Sequence, residues 1–233
     1  MPIFKVLFVL KLSYIEGLLG VLIGLIIAAI NTIFMKKLSI NELKCFRGES
    51  LVLNGISAEI KEGETFVVKG SNGSGKTTLL RVLSSLIKNY SGTIMYEDRD
   101  IKEDYKFYQK FNFIGQKNAL KENLSVSKNF KLWEIIYGKK TDVNLLLQKY
   151  NLNTLIDKDI SSLSDGQKKC ISLLKLKLSS VPIWYLDEPF VFLDSENRSI
   201  LTDEIKSHNH RGGIALITTN TELDYKSDGE ITL

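Results

Sequence analysis

Short apolar runs separated by polar turns recur along the chain from residue 38 onward, and they predict alternating strands and helices. Strands are expected over residues 38–46, 51–60, 65–68, 93–96, 183–186 and 214–217, with the 93–96 strand at the edge of a sheet. Helices are expected over residues 79–83 and 168–179 and in a compact insert over residues 122–157. This order of elements indicates an α/β fold.

The chain before this domain is more apolar and predicts a separate segment, residues 1–37, ahead of a domain over residues 38–233. Residues 17–35 carry no charge, and as a helix they would span about 28 Å, close to the roughly 30 Å of a bilayer core. Two interpretations stay open: a membrane anchor, or an over-long start with translation beginning at Met35. The lysines that follow the segment would keep the domain on the cytoplasmic side of a real anchor.

A glycine-rich segment follows the strand expected over residues 65–68, and it fits the phosphate-binding pattern G-x-x-x-x-G-K-[ST]. Glycines allow positive φ and close backbone approach, so successive N–H groups can surround a triphosphate at the N-terminus of the next helix. Lys76 would neutralise the β- and γ-phosphates, and the Thr77 hydroxyl would bind Mg²⁺. We therefore predict an ATP and Mg²⁺ site formed by Gly70, Ser71, Asn72, Gly73, Ser74, Gly75, Lys76, Thr77 and Thr78.

Two further motifs follow the glycine-rich segment in a fixed order. The apolar strand over residues 183–186 ends in Asp187 and Glu188, where Asp187 would hold Mg²⁺ and Glu188 would act as general base on water. Before it, Leu163-Ser164-Asp165-Gly166-Gln167 precedes a helical stretch. The order of the three motifs resembles that of the ATP-binding-cassette ATPases.

The resemblance implies a cassette fold, with a mixed RecA-like sheet, an antiparallel β subdomain and a helical subdomain. It implies that Ser164, Gly166 and Gln167 bind the nucleotide held by a second cassette, so that a homodimer completes the site. Asp165 would then turn outward. Gln116 matches the family's glutamine that contacts Mg²⁺ and the attacking water, and the segment around Asp194 matches the loop that touches the opposite subunit.

The family pattern also includes a catalytic histidine near the last strand and an aromatic residue before the glycine-rich segment, and this chain differs from it at the first. Asn220 stands where the family has a catalytic histidine; an amide donates a hydrogen bond without charge, so slow but nonzero hydrolysis is expected. His208 and His210 are expected on the surface, where neither replaces that histidine. Either Phe46 or Arg47 is expected to stack on adenine, although Phe46 also suits the core of the β subdomain.

The composition of the chain indicates which class of partner and which compartment to expect. The 233 residues carry a formal net charge of +4 without an isolated basic tract, which argues against a nucleic-acid partner. Cys45 and Cys170 lack metal or disulfide spacing, which is typical of a protein from a reducing compartment.

Within the family, residues 38–233 resemble the ATP-binding subunits of the heme exporters of cytochrome c maturation, notably over residues 45–49 and 113–126. This implies integral membrane partners and a place at the cytoplasmic face of the inner membrane, peripheral or N-terminally anchored, or at the mitochondrial inner membrane of an organellar protein. An ATPase for another small exporter of drugs, lipids or lipoproteins stays an alternative. A cassette acting on DNA or ribosomes is disfavoured because a second cassette and a coiled-coil insertion are missing. A nucleotide-binding module without turnover is opposed by Glu188.

Overall fold

The computed structural model describes residues 36–220, 223 and 225–233. Residues 37–233 form one compact unit. The expectations for the apolar stretch at residues 17–35 and for a start at Met35 lie outside the described residues. Within the described ranges, the helices are too short or too polar to cross a bilayer.

The elements follow one another in an order that alternates strands and helices. In chain order they are β1 (Lys37–Arg47), β2 (Ser50–Lys61), β3 (Thr65–Lys69), α1 (Lys76–Leu83), β4 (Ser91–Tyr96), β5 (Arg99–Asp100), β6 (Phe111–Ile114), α2 (Val126–Tyr137), α3 (Val143–Gln148), α4 (Asp165–Leu173), β7 (Ile183–Asp187), α5 (Ser195–His210), β8 (Ile214–Thr218) and β9 (Gly229–Thr232). The α/β fold class expected from the pattern is confirmed.

Four strands form an antiparallel sheet in the order β2-β1-β4-β5. In β1, alternation buries Leu38, Ile40, Leu43 and Cys45, and the register shifts between Ile40 and Leu43 where Glu42 has a φ of 47°. That irregularity moves the apolar face by one position, because strand side chains alternate with a period of two. Pairing of β4 with β1 on one side and β5 on the other shows that the expected edge position of β4 was wrong.

The other five strands form a parallel sheet in the order β6-β7-β8-β3-β9. All five residues of β7 and all five of β8 are buried, as continuous apolar runs in central parallel strands require. Asp187 at the end of β7 pairs with Thr218 at the end of β8, and Val68 near the end of β3 pairs with the same Thr218. The carboxyl ends of three adjacent strands therefore meet at one edge, where ligands of such sheets bind.

A helical part packs around its own apolar cluster, which includes Phe130 and Trp133 of α2, Leu147 of α3 and Ile171 of α4. The helix expected over residues 168–179 begins earlier and ends earlier than its pattern suggested. It starts at Asp165 because the Ser164 hydroxyl accepts a hydrogen bond from the Gln167 N–H, as an N-cap does. It ends at Leu173, and residues Leu174–Lys177 continue as a 3₁₀ turn.

Candidate active site

The glycine-rich loop connects β3 to α1 at the carboxyl edge of the parallel sheet. Gly70, Gly73 and Gly75 all have positive φ, at 153°, 84° and 109°. A Cβ at Gly75 would lie 2.8 Å from Val52 Cγ1, closer than nonbonded carbon atoms approach. Positive φ and the neighbouring β2 side chain together restrict this position to glycine.

Lys76, the first residue of α1, is buried and points back into the loop. Its Nζ donates hydrogen bonds to the carbonyl oxygens of Gly70 at 2.7 Å and Ser71 at 3.0 Å. The loop therefore curls around the ammonium group and places a fixed positive charge beside the helix N-terminus. Such an arrangement can bind a polyphosphate.

Asp187 is buried at the end of β7 and is held from two sides. The Thr77 hydroxyl donates to its Oδ2 at 2.8 Å, and the Thr218 hydroxyl donates to its Oδ1 at 2.7 Å. Thr77 is thereby joined to the carboxylate across 110 positions of sequence. These contacts fix both oxygens, and within the described part of the chain no positively charged side chain is bonded to the carboxylate.

The donor set around Asp187 suits Mg²⁺. The ion prefers oxygen ligands and is usually bound through one or two carboxylates together with phosphate oxygens. Thr77, Asp187 and Gln116 all face the same cavity and offer a hydroxyl, a carboxylate and an amide oxygen. Among the described residues, the His, Cys, Asp and Glu side chains form no cluster of three that could enclose a metal by themselves.

Glu188 follows Asp187 directly in the chain and adopts a left-handed backbone conformation, with a φ of 49°. Its N–H donates to the Thr218 carbonyl at 3.1 Å, and its Oε2 accepts from the Asn220 N–H at 3.3 Å. Its Oε1 is buried and has no hydrogen-bond partner within the described part of the chain. Burial raises the pKa of Glu188 above its ordinary value, opposed by the Asn220 N–H and the positive charge of Lys76.

Asn220 lies at the same edge, two residues beyond β8. Its side-chain amide donates to Asn72 Oδ1 at 2.9 Å, which joins the end of β8 to the glycine-rich loop. A group at this position can therefore reach the loop that would hold phosphate.

The two histidines differ in their environments. His210 is exposed, as expected. The expected surface position of His208 was wrong: the ring is buried and stacks on Trp184, with centroids 3.9 Å apart and planes 8° from parallel. Its Nε2 lies 3.3 Å from the Ile214 carbonyl oxygen. Packing between α5 and the sheet thus fixes His208 away from the cavity.

A cavity of about 650 Å³ lies at this edge, within the size range of small-ligand sites. The predicted residues that line it are Asn72, Gly73, Gly75, Lys76, Thr77, Thr78, Gln116, Asp187, Glu188 and Asn220. Arg47 also lines the cavity and Phe46 does not, and the adenine contact of either residue stays a prediction. Phe46 is 56 % exposed, so its alternative assignment to the β core was wrong.

The signature segment, residues 163–167, lies outside the cavity at the glycine-rich loop. Ser164, Gly166 and Gln167 line a separate cavity of about 480 Å³ together with Asp194. Gln167 Oε1 accepts from the Ser164 N–H at 3.0 Å, completing a reciprocal capping box. Asp165 is exposed in the first turn, the outward position expected for it. A single chain does not bring the signature segment to the cavity of the glycine-rich loop.

Reasoning from the sequence missed four of the lining residues, and one of them, Lys169, is charged. Lys169 on α4 is 2 % exposed and faces the cavity that Asp187 and Glu188 share. Burial lowers its pKa to about 8, and the two carboxylates oppose this shift. No local motif marks this lysine, because its position depends on how α4 packs against the sheet.

Known proteins resemble this chain in sequence and in structure. Residues 53–191 match the ABC transporter family. The cytochrome c biogenesis ATP-binding export protein CcmA of Haemophilus influenzae is 33 % identical over 191 residues, covering 80 % of this chain and 90 % of CcmA. The Colwellia psychrerythraea CcmA is 37 % identical over 183 residues, covering 78 % and 84 % of the two chains. A solved ABC transporter ATP-binding protein from Pyrococcus furiosus superposes with a TM-score of 0.73 at 28 % identity, over 84 % and 97 % of the chains. These matches confirm the predicted resemblance and the cassette fold.

Proposed function

This chain belongs to the ABC transporter family of ATP-binding domains, and from that premise we propose that it is the ATP-hydrolysing subunit of a heme-export complex in cytochrome c maturation. The observation that carries the proposal is the similarity to CcmA proteins at 33 % and 37 % identity over about four-fifths of this chain. The complex would lie at the cytoplasmic face of the cell membrane, or at the inner membrane of a mitochondrion if the protein is organellar.

The site residues divide the chemistry of hydrolysis among themselves. The loop N–H groups, Lys76 and Thr78 would bind the phosphates, while Thr77, Asp187 and Gln116 would hold Mg²⁺. Bound Mg²⁺ supplies charge stabilisation at the phosphate oxygens. Glu188 accepts the proton of the attacking water through its free oxygen, since its raised pKa favours proton uptake. Asn220 orients the γ-phosphate by hydrogen bonding, which polarises it less than a charged ring would.

A second copy of the chain would complete each site. Ser164, Gly166 and Gln167 are presented at the start of α4, away from the cavity that would hold nucleotide. In a head-to-tail pair, each signature segment would cover the γ-phosphate bound by the partner. We expect ATP to close the pair and hydrolysis to open it, which gives a two-state motion that integral membrane subunits can use.

Affinity purification of the tagged full chain from detergent-solubilised native membranes tests the assignment, with an untagged strain as control. Recovery of small integral proteins of heme handling is expected, together with ATP hydrolysis that Lys76→Ala abolishes. Recovery of a permease for drugs, lipids or lipoproteins would keep the ATPase assignment and reject the heme one. Recovery of ribosomes or DNA-repair factors would reject the transport assignment itself.

A further inference from the structure

Helix α2 exposes three aliphatic side chains on the side turned away from the apolar cluster of the helical part. Ile135 is 78 % exposed, Ile136 72 % and Leu132 38 %. The other side of the helix buries Phe130 and Trp133. Residues three and four positions apart are neighbours on a helix, so the three aliphatic side chains form one apolar strip. An exposed strip of this kind marks a surface that interacts with another molecule.

Lysines surround the strip. We call the whole surface the α2 face and define it as Lys128, Lys131, Leu132, Ile135, Ile136, Lys139 and Lys140. All four lysines are exposed, and among the residues that the structure describes none of the four takes part in an ion pair. The first two lie one turn before the aliphatic residues on the same side of the helix. The last two follow Gly138, which ends the helix.

The acid of this helix leaves the positive charge of the α2 face in excess. Residues 126–140 contain four lysines and one glutamate, Glu134. Glu134 is half-buried, and its Oε1 accepts a hydrogen bond from the Thr141 N–H at 2.7 Å. Its carboxylate is therefore bonded to the backbone that follows the helix and is not paired with a lysine of the α2 face.

The shape and the charge of the α2 face select one kind of occupant. A helix or peptide of a partner protein binds in a groove, whereas Ile135 and Ile136 project from a convex helix and line neither of the two cavities described above. A bilayer interface can accept the apolar side chains of a helix that lies in its plane. The lysine side chains along the edge can then extend to the phosphates. Their positive charge is complementary to anionic headgroups, which attract basic segments of proteins.

We propose that the α2 face binds the surface of a bilayer that contains anionic phospholipids. Ile135 and Ile136 enter the boundary between headgroups and acyl chains, and the lysines contact the phosphates. The inference goes beyond the proposed function, because the occupant is lipid and the contact does not depend on what the complex exports. Since α2 and α4 pack in one apolar cluster, the lipid contact is joined to the helix that begins in the signature segment.

A fluorescent label on the α2 face tests this contact. Ile135→Cys provides the attachment site for an environment-sensitive dye, because the native thiols of Cys45 and Cys170 are buried. Leu86→Cys is the matched control, since Leu86 is 63 % exposed and lies after α1. The labelled full chain is mixed with vesicles of phosphatidylcholine, with or without phosphatidylglycerol. The dye reports its own surroundings, so contact of another part of the chain with lipid does not change the readout.

The Ile135→Cys label is expected to shift to the blue with the vesicles that contain phosphatidylglycerol and to stay unshifted with phosphatidylcholine alone. The Leu86→Cys label should stay unshifted with both. Adding Lys128→Gln and Lys131→Gln to Ile135→Cys should lower the ratio of lipid-inserted to exposed label about tenfold or more, because each lysine near an anionic surface contributes about fivefold.

Two controls show that the loss is specific to the α2 face. Lys44→Gln with Lys88→Gln removes two other exposed lysines and should leave the ratio within about twofold, since charges away from the contact are screened by salt. Each variant should bind ATP as the wild type does, which shows that it is folded. If Ile135→Cys does not fold by this measure, Ile136→Cys carries the same comparison.

An unshifted Ile135→Cys label with anionic vesicles would overturn the inference, as would equal shifts with both kinds of vesicle or at Leu86→Cys. A shift that requires the integral partners and no anionic lipid would assign the α2 face to a protein partner and would overturn it as well. Failure of the heme-export assignment would leave the expected shift unchanged, so the two proposals are tested separately.

Discussion

Replacing His208 by phenylalanine should weaken the pH dependence of stability below neutral pH. The His208 ring is buried against Trp184, and burial lowers its pKa to about 4, with further lowering by the positive charges of Arg211 and Lys177. The hydrogen bond to the Ile214 carbonyl opposes this shift without cancelling it. The folded protein therefore keeps this ring neutral at pH values where an unfolded chain would protonate it.

The sign and size of the effect follow from linkage. Between the unfolded pKa of about 6.5 and the folded pKa of about 4, the unfolded state binds more protons, so stability falls as the pH falls. The whole difference corresponds to about 3 kcal/mol, of which about 2 kcal/mol develops between pH 7 and pH 5. More than about one unit above the unfolded pKa the ring is neutral in both states, and this contribution is constant.

Urea unfolding of the full chain at pH 7 and pH 5 measures the effect for wild type and His208→Phe. Because carboxylates also titrate in this range, the informative quantity is the difference between the two pH dependences. The variant should lose about 2 kcal/mol less than the wild type on going to pH 5, whatever its stability at pH 7. His210→Gln is the control, since that ring is exposed on the same helix. Parallel curves for wild type and His208→Phe would refute the argument.

Three further predictions concern the active site. Gly75→Ala should weaken ATP binding by at least about tenfold and lower the stability by about 1–3 kcal/mol, because the residue has a φ of 109° and the new Cβ would contact Val52. Calorimetry with ATP measures the affinity, and thermal unfolding measures the stability. Asn220→His should raise the rate of phosphate release by about tenfold, since a ring N–H can carry charge to the γ-phosphate; an unchanged rate would show that Asn220 does not limit hydrolysis. Glu188→Gln should lower kcat by about a hundredfold or more and trap an ATP-bound pair of chains, seen by sedimentation; a monomer with bound ATP would argue against closure by ATP.

The parts of the fold that local patterns determine could be predicted from the sequence. The strand expected over residues 65–68 is observed as Thr65–Lys69, and α1 begins at Lys76 as the glycine-rich motif requires. Asp187 and Glu188 were expected at the end of a buried strand and lie there, because a continuous apolar run bounded by acids has few other solutions.

Elements whose position depends on distant partners could not be predicted. The α5 sequence is mostly polar and buries Glu204 and His208 beside Leu201 and Ile205, so its apolar face is hard to recognise. Strand β9 has one fully buried residue, Ile231, and owes its place to parallel pairing with β3. Lys169 was missed for the same reason: lysine is ordinarily solvated, and only the packing of α4 encloses it.

The contact between Gly166 and Phe192 limits which residues the signature segment can contain. A Cβ at Gly166 would lie 2.7 Å from the Phe192 carbonyl oxygen, while the side chain of the preceding residue, Asp165, is exposed. In a mutational library, position 165 should therefore accept many residues and position 166 should return glycine alone. Substitutions that change how two copies recognise each other would therefore occur at position 165. Position 166 cannot vary in this way, because its close contact with Phe192 holds the signature segment and the loop after β7 together as one rigid unit.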